Sequence, residues 1–186
     1  MKTALLIIDI QNDYFPAGRM ELSGSEVAAS CSARLLNAFR QAQWPVFHVQ
    51  HLSNRPGAGF FLPGTIGAEI HPSVAPLPGE PVIVKHFPNS FRETDLLARL
   101  REEHIGSLLL CGMMTHMCVD ATVRAAFDLG FSCTVAHDAC ATMGLTFNGL
   151  HIPPEHVHGS IMAALGAVYA QLKETDAILD TIGSSA

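Results

Sequence analysis

Short runs of unbroken apolar residues, each stopped abruptly and each separated from the next by room for a helix, most restrict what this chain can fold into. Ala4-Leu-Leu-Ile-Ile8 stops at Asp9, Pro81-Val-Ile-Val84 stops at Lys85, and Ser107-Leu-Leu-Leu-Cys111 stops at Gly112. Strands without polar alternation must be covered on both faces, as in a parallel sheet. Strands are predicted over 3–9, 45–50, 81–85, 106–111, 131–136 and 176–179, and helices over 25–42, 93–103, 116–129 and 155–172. This β-then-α rhythm defines an α/β fold with helices on both sides of the sheet. Ser25 and Thr115 are expected to cap helices, Pro45 follows the first helix, and Gly130 ends the third.

Composition narrows the partners. At 186 residues the chain is read as one domain, 1–186, and 48% hydrophobic with 15% charged residues is the balance of a core-rich protein. A net charge of −6 with no basic run argues against nucleic acid or an anionic membrane as partner. The N-terminal apolar run is too short for a signal peptide. Five cysteines without CxxC spacing are read as reduced thiols of a cytoplasmic protein.

In a parallel sheet Asp9 and Lys85 would meet at the carboxyl edge, where open α/β folds keep their sites. Burying either charge alone is costly, so they are expected to pair or to act on something. Cys118 reaches the same edge in the first turn of the helix after Gly112. There, unpaired amides and the positive helix end favour a thiolate, lowering a thiol pKa from roughly 8.5 to about 3.5–7.5. Asp9 could take the Cys118 proton, Lys85 could hold Asp9, and backbone amides between Met114 and Cys118 lie where an oxyanion would develop. The implied reaction is acyl transfer on an amide carbonyl. Singly, each residue has a bland reading: a cysteine in an apolar domain is more often inert, as expected for Cys31, Cys111, Cys133 and Cys140. Only the joint placement points to chemistry.

Residues 52–80 break the rhythm. Pro56 to Pro81 holds six Pro and five Gly among Phe60, Phe61, Ile66 and Ile70. A long apolar loop of this kind reads as a lid over the site, or else as a cover or subunit contact. Ten histidines invite a metal. Yet His48 and His51, three apart on a strand, face opposite sides, and His156 and His158 face differently on a helix. No metal or other cofactor is expected.

Asp9-Ile-Gln-Asn-Asp13-Tyr-Phe, Lys85-His-Phe-Pro-Asn-Ser90-Phe91-x-x-Thr94-Asp95-Leu96, Gly112-Met-Met-Thr115-x-x-Cys118-Val119 and Asp138-Ala139 resemble the isochorismatase-like cysteine hydrolases, in order along nearly the whole chain. The resemblance implies a three-layer α/β/α, Rossmann-like fold with a six-stranded parallel sheet, and an Asp9–Lys85–Cys118 triad. It also implies a cis peptide at Met113–Met114 that turns the Met114 amide toward the oxyanion, and assembly as a homodimer or homotetramer. The nicotinamidase branch carries an Asp-x-His metal motif after the second strand, where this chain reads His48-Val-Gln-His51-Leu-Ser53. The ether-cleaving branch lacks the nucleophilic cysteine that Cys118 supplies here. A metal-free amidohydrolase acting on a small molecule is therefore expected.

Phe15, His51, His86, Phe87, Phe91 and His116 are the positional candidates for substrate contact, with Arg19 for a carboxylate and Phe147, Asn148 and His151 for the rim. Three other functions compete. Ether cleavage could use Asp9 as acid, and a non-catalytic binding protein could keep the fold. A nucleotide-binding oxidoreductase would need Gly-x-Gly-x-x-Gly where the first strand instead leads into Gln11-Asn-Asp-Tyr-Phe-Pro16.

Overall fold

Along β1 (Lys2–Ile8), Leu5 and Ile7 point to one face of the sheet and Ala4, Leu6 and Ile8 to the other, and all five are buried. That two-sided burial is the reason the strand has no polar alternation. The computed structural model describes residues 2–183. Its six-stranded parallel sheet runs β3-β2-β1-β4-β5-β8, built from β2 (Val46–His51), β3 (Val82–Lys85), β4 (Ile105–Met113), β5 (Ser132–Ala141) and β8 (Gln171–Lys173).

One face packs on α1 (Ser25–Gln41) and α5 (Thr175–Gly183), through Leu35, Leu36, Phe39, Ile178 and Ile182. The other packs on α2 (Leu96–Glu102), α3 (Asp120–Asp128) and α4 (Pro154–Val168), through Leu96, Leu100, Val123, Ala126, Met162 and Leu165. The result is a three-layer α/β/α fold. Among the described residues no helix is long and apolar enough to cross a membrane.

Five expectations need correction. The stretch 176–179 is not a strand but part of α5, whose Ile178 and Ile182 are buried one helical turn apart. The sixth strand is Gln171–Lys173, whose first two residues fall inside the helix expected over 155–172. Three residues are too few to leave a period-two signature, so the helical pattern ran on through them. The helix expected from 93 begins at Leu96, because Glu93 sits at φ 56°.

Ser25 does not cap α1: Gly24 precedes the helix at φ 75°, a left-handed conformation that glycine adopts freely. Nor does Thr115 cap. Met117 N–H donates to the Met114 carbonyl, while the Thr115 hydroxyl donates to the Ala141 carbonyl and also shares a bond with His158 Nδ1. Residues Thr115–Val119 form a π-helical turn leading into α3. Pro45 and Gly130 stand where expected, Gly130 at φ 91° just past α3.

One element was unforeseen. β6 (Leu145–Phe147) and β7 (Leu150–Ile152) form a hairpin whose turn residues, Asn148 and Gly149, both have positive φ. Asn-Gly between apolar residues is the sequence signal for such a turn, and it was available.

Candidate active site

The parallel register carries three side chains to one place. Ile8 of β1 lies beside Val49 of β2 and Gly112 of β4, while His51 of β2 pairs directly with Lys85 of β3. Asp9 follows β1 with φ 50°, in a region that Asp tolerates better than most residues. Gly112 permits the close approach of β4. A Cβ there would lie 2.0 Å from the Ile8 carbonyl oxygen, and its φ of 131° suits only glycine. The Met113–Met114 peptide that follows is cis.

Lys85 Nζ stands 2.6 Å from Asp9 Oδ2, 3.2 Å from Cys118 Sγ, 3.0 Å from His51 Nδ1 and 3.1 Å from the Phe87 carbonyl. Asp9 and Lys85 are both 0% exposed and Cys118 is 5% exposed. Reactive atoms of Asp9, His51 and Cys118 lie within 4.8 Å of one another. Such a trio could ligate a metal ion only if Lys85 left its centre, because the ammonium already supplies the positive charge there.

Burial sets the charges. It pushes the Asp9 carboxyl up against the opposing pull of Lys85. Burial tends to depress Lys85, but Asp9 and Cys118 more than offset it and keep the amine above its ordinary value. The Cys118 thiol is pushed well up by burial and by Asp9, more than Lys85 lowers it. The expectation of a preformed thiolate is therefore corrected: desolvation outweighs the helix end at this buried position. Burial thus disfavours the charged forms of Asp9 and Cys118, while these two neighbours favour the Lys85 ammonium.

The other four cysteines are free thiols. Burial pushes Cys111 up to about 12 and Cys133 up to about 11.

The positional candidates scatter. His51 touches Lys85, and Phe87 gives Lys85 its carbonyl while its ring lies 3.6 Å beneath the Arg92 guanidinium. His86 Nδ1 donates to the Leu52 carbonyl at 2.7 Å. His116, half-buried beside the nucleophile turn, shares a 2.6 Å bond with the Thr142 hydroxyl. Phe15 instead stacks on His71 at 3.8 Å, and Phe91 packs in the core against Phe131 at 6.1 Å. His48 turns away from His51 to Glu80, as strand alternation requires. The Arg19 guanidinium donates to the Gly59 carbonyl at 3.5 Å and its backbone N–H to Asp13, and the rim residues Phe147, Asn148 and His151 lie exposed on or beside the hairpin turn.

Within residues 52–80, the stretch from Phe61 to Ala68 is stitched to this edge by the loop after β1. Gln11 donates to the Ala68 carbonyl and clamps His51 at both its N–H and its carbonyl, and Asn12 donates to the Ile66 carbonyl. Asp13 accepts the Phe61 amide at 2.6 Å. Gly67 lets Asp13 in, since a Cβ there would sit 2.1 Å from its carboxylate. Tyr14, Phe60 and Phe61 form an aromatic cluster next to His51, and burial first, then the charge of Asp9, pushes the Tyr14 phenol well above its ordinary value. Gln11, Asp13 and Tyr14 lie in the motif that follows Asp9, but no site role was expected of them.

A doubly covered parallel sheet with a buried acid, amine and thiol at its carboxyl edge defines a class of α/β hydrolase scaffold. The isochorismatase domain model matches residues 3–151, and the chain belongs to the isochorismatase family of hydrolases. The uncharacterized isochorismatase family protein YddQ of Bacillus subtilis is 56% identical over 179 residues, spanning 96% of this chain and 99% of its own length. A crystal structure from Oleispira antarctica assigned to the isochorismatase hydrolases superposes with a TM-score of 0.92 at 50% identity, covering 96% of each chain. The ureidoacrylate amidohydrolase RutB of Variovorax paradoxus is 29% identical over 175 residues, spanning 76% of this chain and 69% of its own.

Proposed function

We propose that this protein hydrolyses a carbon–nitrogen bond of the amide type in a small molecule, with Cys118 as nucleophile, Asp9 as base and Lys85 in support. One observation carries the reading: a buried ammonium stands within 3.2 Å of both a buried carboxylate and a buried thiol. An ion pair serving stability alone would not need a thiol in its centre. The amidohydrolase among the relatives supports the same bond type.

Because the thiol is neutral at rest, its proton passes to Asp9 as sulfur attacks the carbonyl carbon. The Met114 and Cys118 amides receive the oxyanion; removing one such donor elsewhere costs roughly 3–4 kcal/mol of barrier. Collapse breaks the C–N bond, and the leaving nitrogen takes the proton from Asp9, giving a thioester and a free amine. Water, deprotonated by Asp9, then attacks the thioester. The carboxylic acid leaves and the proton returns to sulfur. Lys85 keeps its positive charge throughout, balancing first Asp9 and then the charge on sulfur or oxygen.

The test is a panel of primary amides, ureido acids and lactams, scored by ammonia or carboxylate release, with mass spectrometry of the protein. Turnover is expected to vanish in Cys118→Ala while the fold survives, and an acyl adduct should be trapped on Cys118. Full amide turnover in that variant would end the reading. Ether cleavage surviving in Cys118→Ala but lost in Asp9→Asn would replace it with acid catalysis.

A further inference from the structure

Lys85 has three N–H bonds and four neighbours able to accept them. Its hydrogen bonds go to His51 Nδ1, the Phe87 carbonyl and Cys118 Sγ. Asp9 is nearest of all, at 2.6 Å, yet neither of its oxygens receives a well-aligned hydrogen bond. A buried carboxylate that must share its one ammonium with three other acceptors, and that meets it out of alignment, is unusual, since such groups ordinarily collect donors.

We propose that His51 is a positioning residue whose Nδ1 lone pair captures the Lys85 N–H that would otherwise turn onto Asp9, keeping that carboxylate free to take the Cys118 proton. This rests on the role of Asp9 as base.

An ammonium can only donate, so Nδ1 must be the acceptor, and a neutral imidazole then carries its hydrogen on Nε2. The ring is held neutral, its pKa pushed down to about 3 by burial first and then by the charges of Lys85, Arg55 and His86. Facing Asp9 are Lys85, Cys118 and the un-ionised phenol of Tyr14. The ring is also fixed in place. Gln11 clamps the His51 backbone at 2.7 and 2.9 Å, and the β2–β3 register sets His51 directly beside Lys85. Without that acceptor the freed N–H bonds Asp9, stabilises its charged form and weakens it as a base.

Asparagine places an oxygen near the position of Nδ1, whereas glutamine reaches toward that of Nε2, so the two substitutions separate the nitrogens. Iodoacetamide alkylation of Cys118, read by peptide mass from pH 5 to 11 on the full-length protein, reports the coupled Asp9–Cys118 protons without any amide substrate. Its outcome is thus distinct from whether the protein is an amidase. His51→Asn is expected to keep the wild-type acid-side midpoint. His51→Gln is expected to lower it by about one unit and to slow alkylation about tenfold at pH 7. His51→Leu should behave like the glutamine variant and replaces it if that variant does not fold. A glutamine or leucine profile that overlays wild type, or an asparagine profile shifted as far as the glutamine one, overturns the proposal.

Discussion

Replacing Lys85 by methionine keeps most of the side-chain volume and removes the only positive charge touching Asp9 among the described residues. Asp9 is 0% exposed, and among the described residues no second cation stands against it to replace the ammonium at 2.6 Å. Breaking a buried pair by removing one partner costs about 3–5 kcal/mol. At about 2–4 °C per kcal/mol for a domain of this size, melting should fall by about 6–20 °C at pH 8. The pH dependence carries the sign. The Asp9 pKa, already raised above its ordinary 3.8 by burial, rises further once Lys85 is gone. A raised acid binds its proton more tightly folded than unfolded. Its contribution is therefore fully present below the unfolded value and is lost as pH rises through the folded one. Lys85→Met should accordingly be more stable at pH 5 than at pH 8, by a wider margin than wild type. Adding Asp9→Asn should recover most of the loss at pH 8 without restoring activity. Thermal unfolding by circular dichroism at both pH values decides it. A Lys85→Met variant as stable as wild type at pH 8, with no added pH dependence, would refute the account of a charge-held carboxylate.

Gly112→Ala should leave little folded protein, because its Cβ would lie 2.0 Å from the Ile8 carbonyl at a φ of 131°, with strand backbone on both sides; the urea midpoint and soluble yield measure this. Asp138→Ala should cost about 1–3 kcal/mol in urea unfolding, since both carboxylate oxygens accept the Thr175 amide and one also accepts its hydroxyl, tying β5 to the start of α5.

Much of the architecture is written locally. The runs before Asp9 and Lys85 are each stopped by a charge that cannot stay in a core unpaired, and the long helices are stretches of ordinary length with an apolar face. That is why Asp9, Lys85 and Cys118 were legible as one edge before any contact was known. The sixth strand was not legible. Gln171–Lys173 owes its state to pairing with Thr134–Ala136, a partner far away in sequence. Short strands take their conformation from neighbours rather than from propensity.

The charge state of the site belongs to the same second category. Position at a helix start favours a thiolate, but 5% exposure of Cys118 beside a carboxylate reverses the sign, and desolvation is a property of the finished fold. The chain alone determined which side chains come to the carboxyl edge, because period and punctuation fix strand ends. Only the tertiary structure decided which groups surround the Lys85 ammonium, because strand register and the loop clamped by Gln11 set distances that no local pattern encodes.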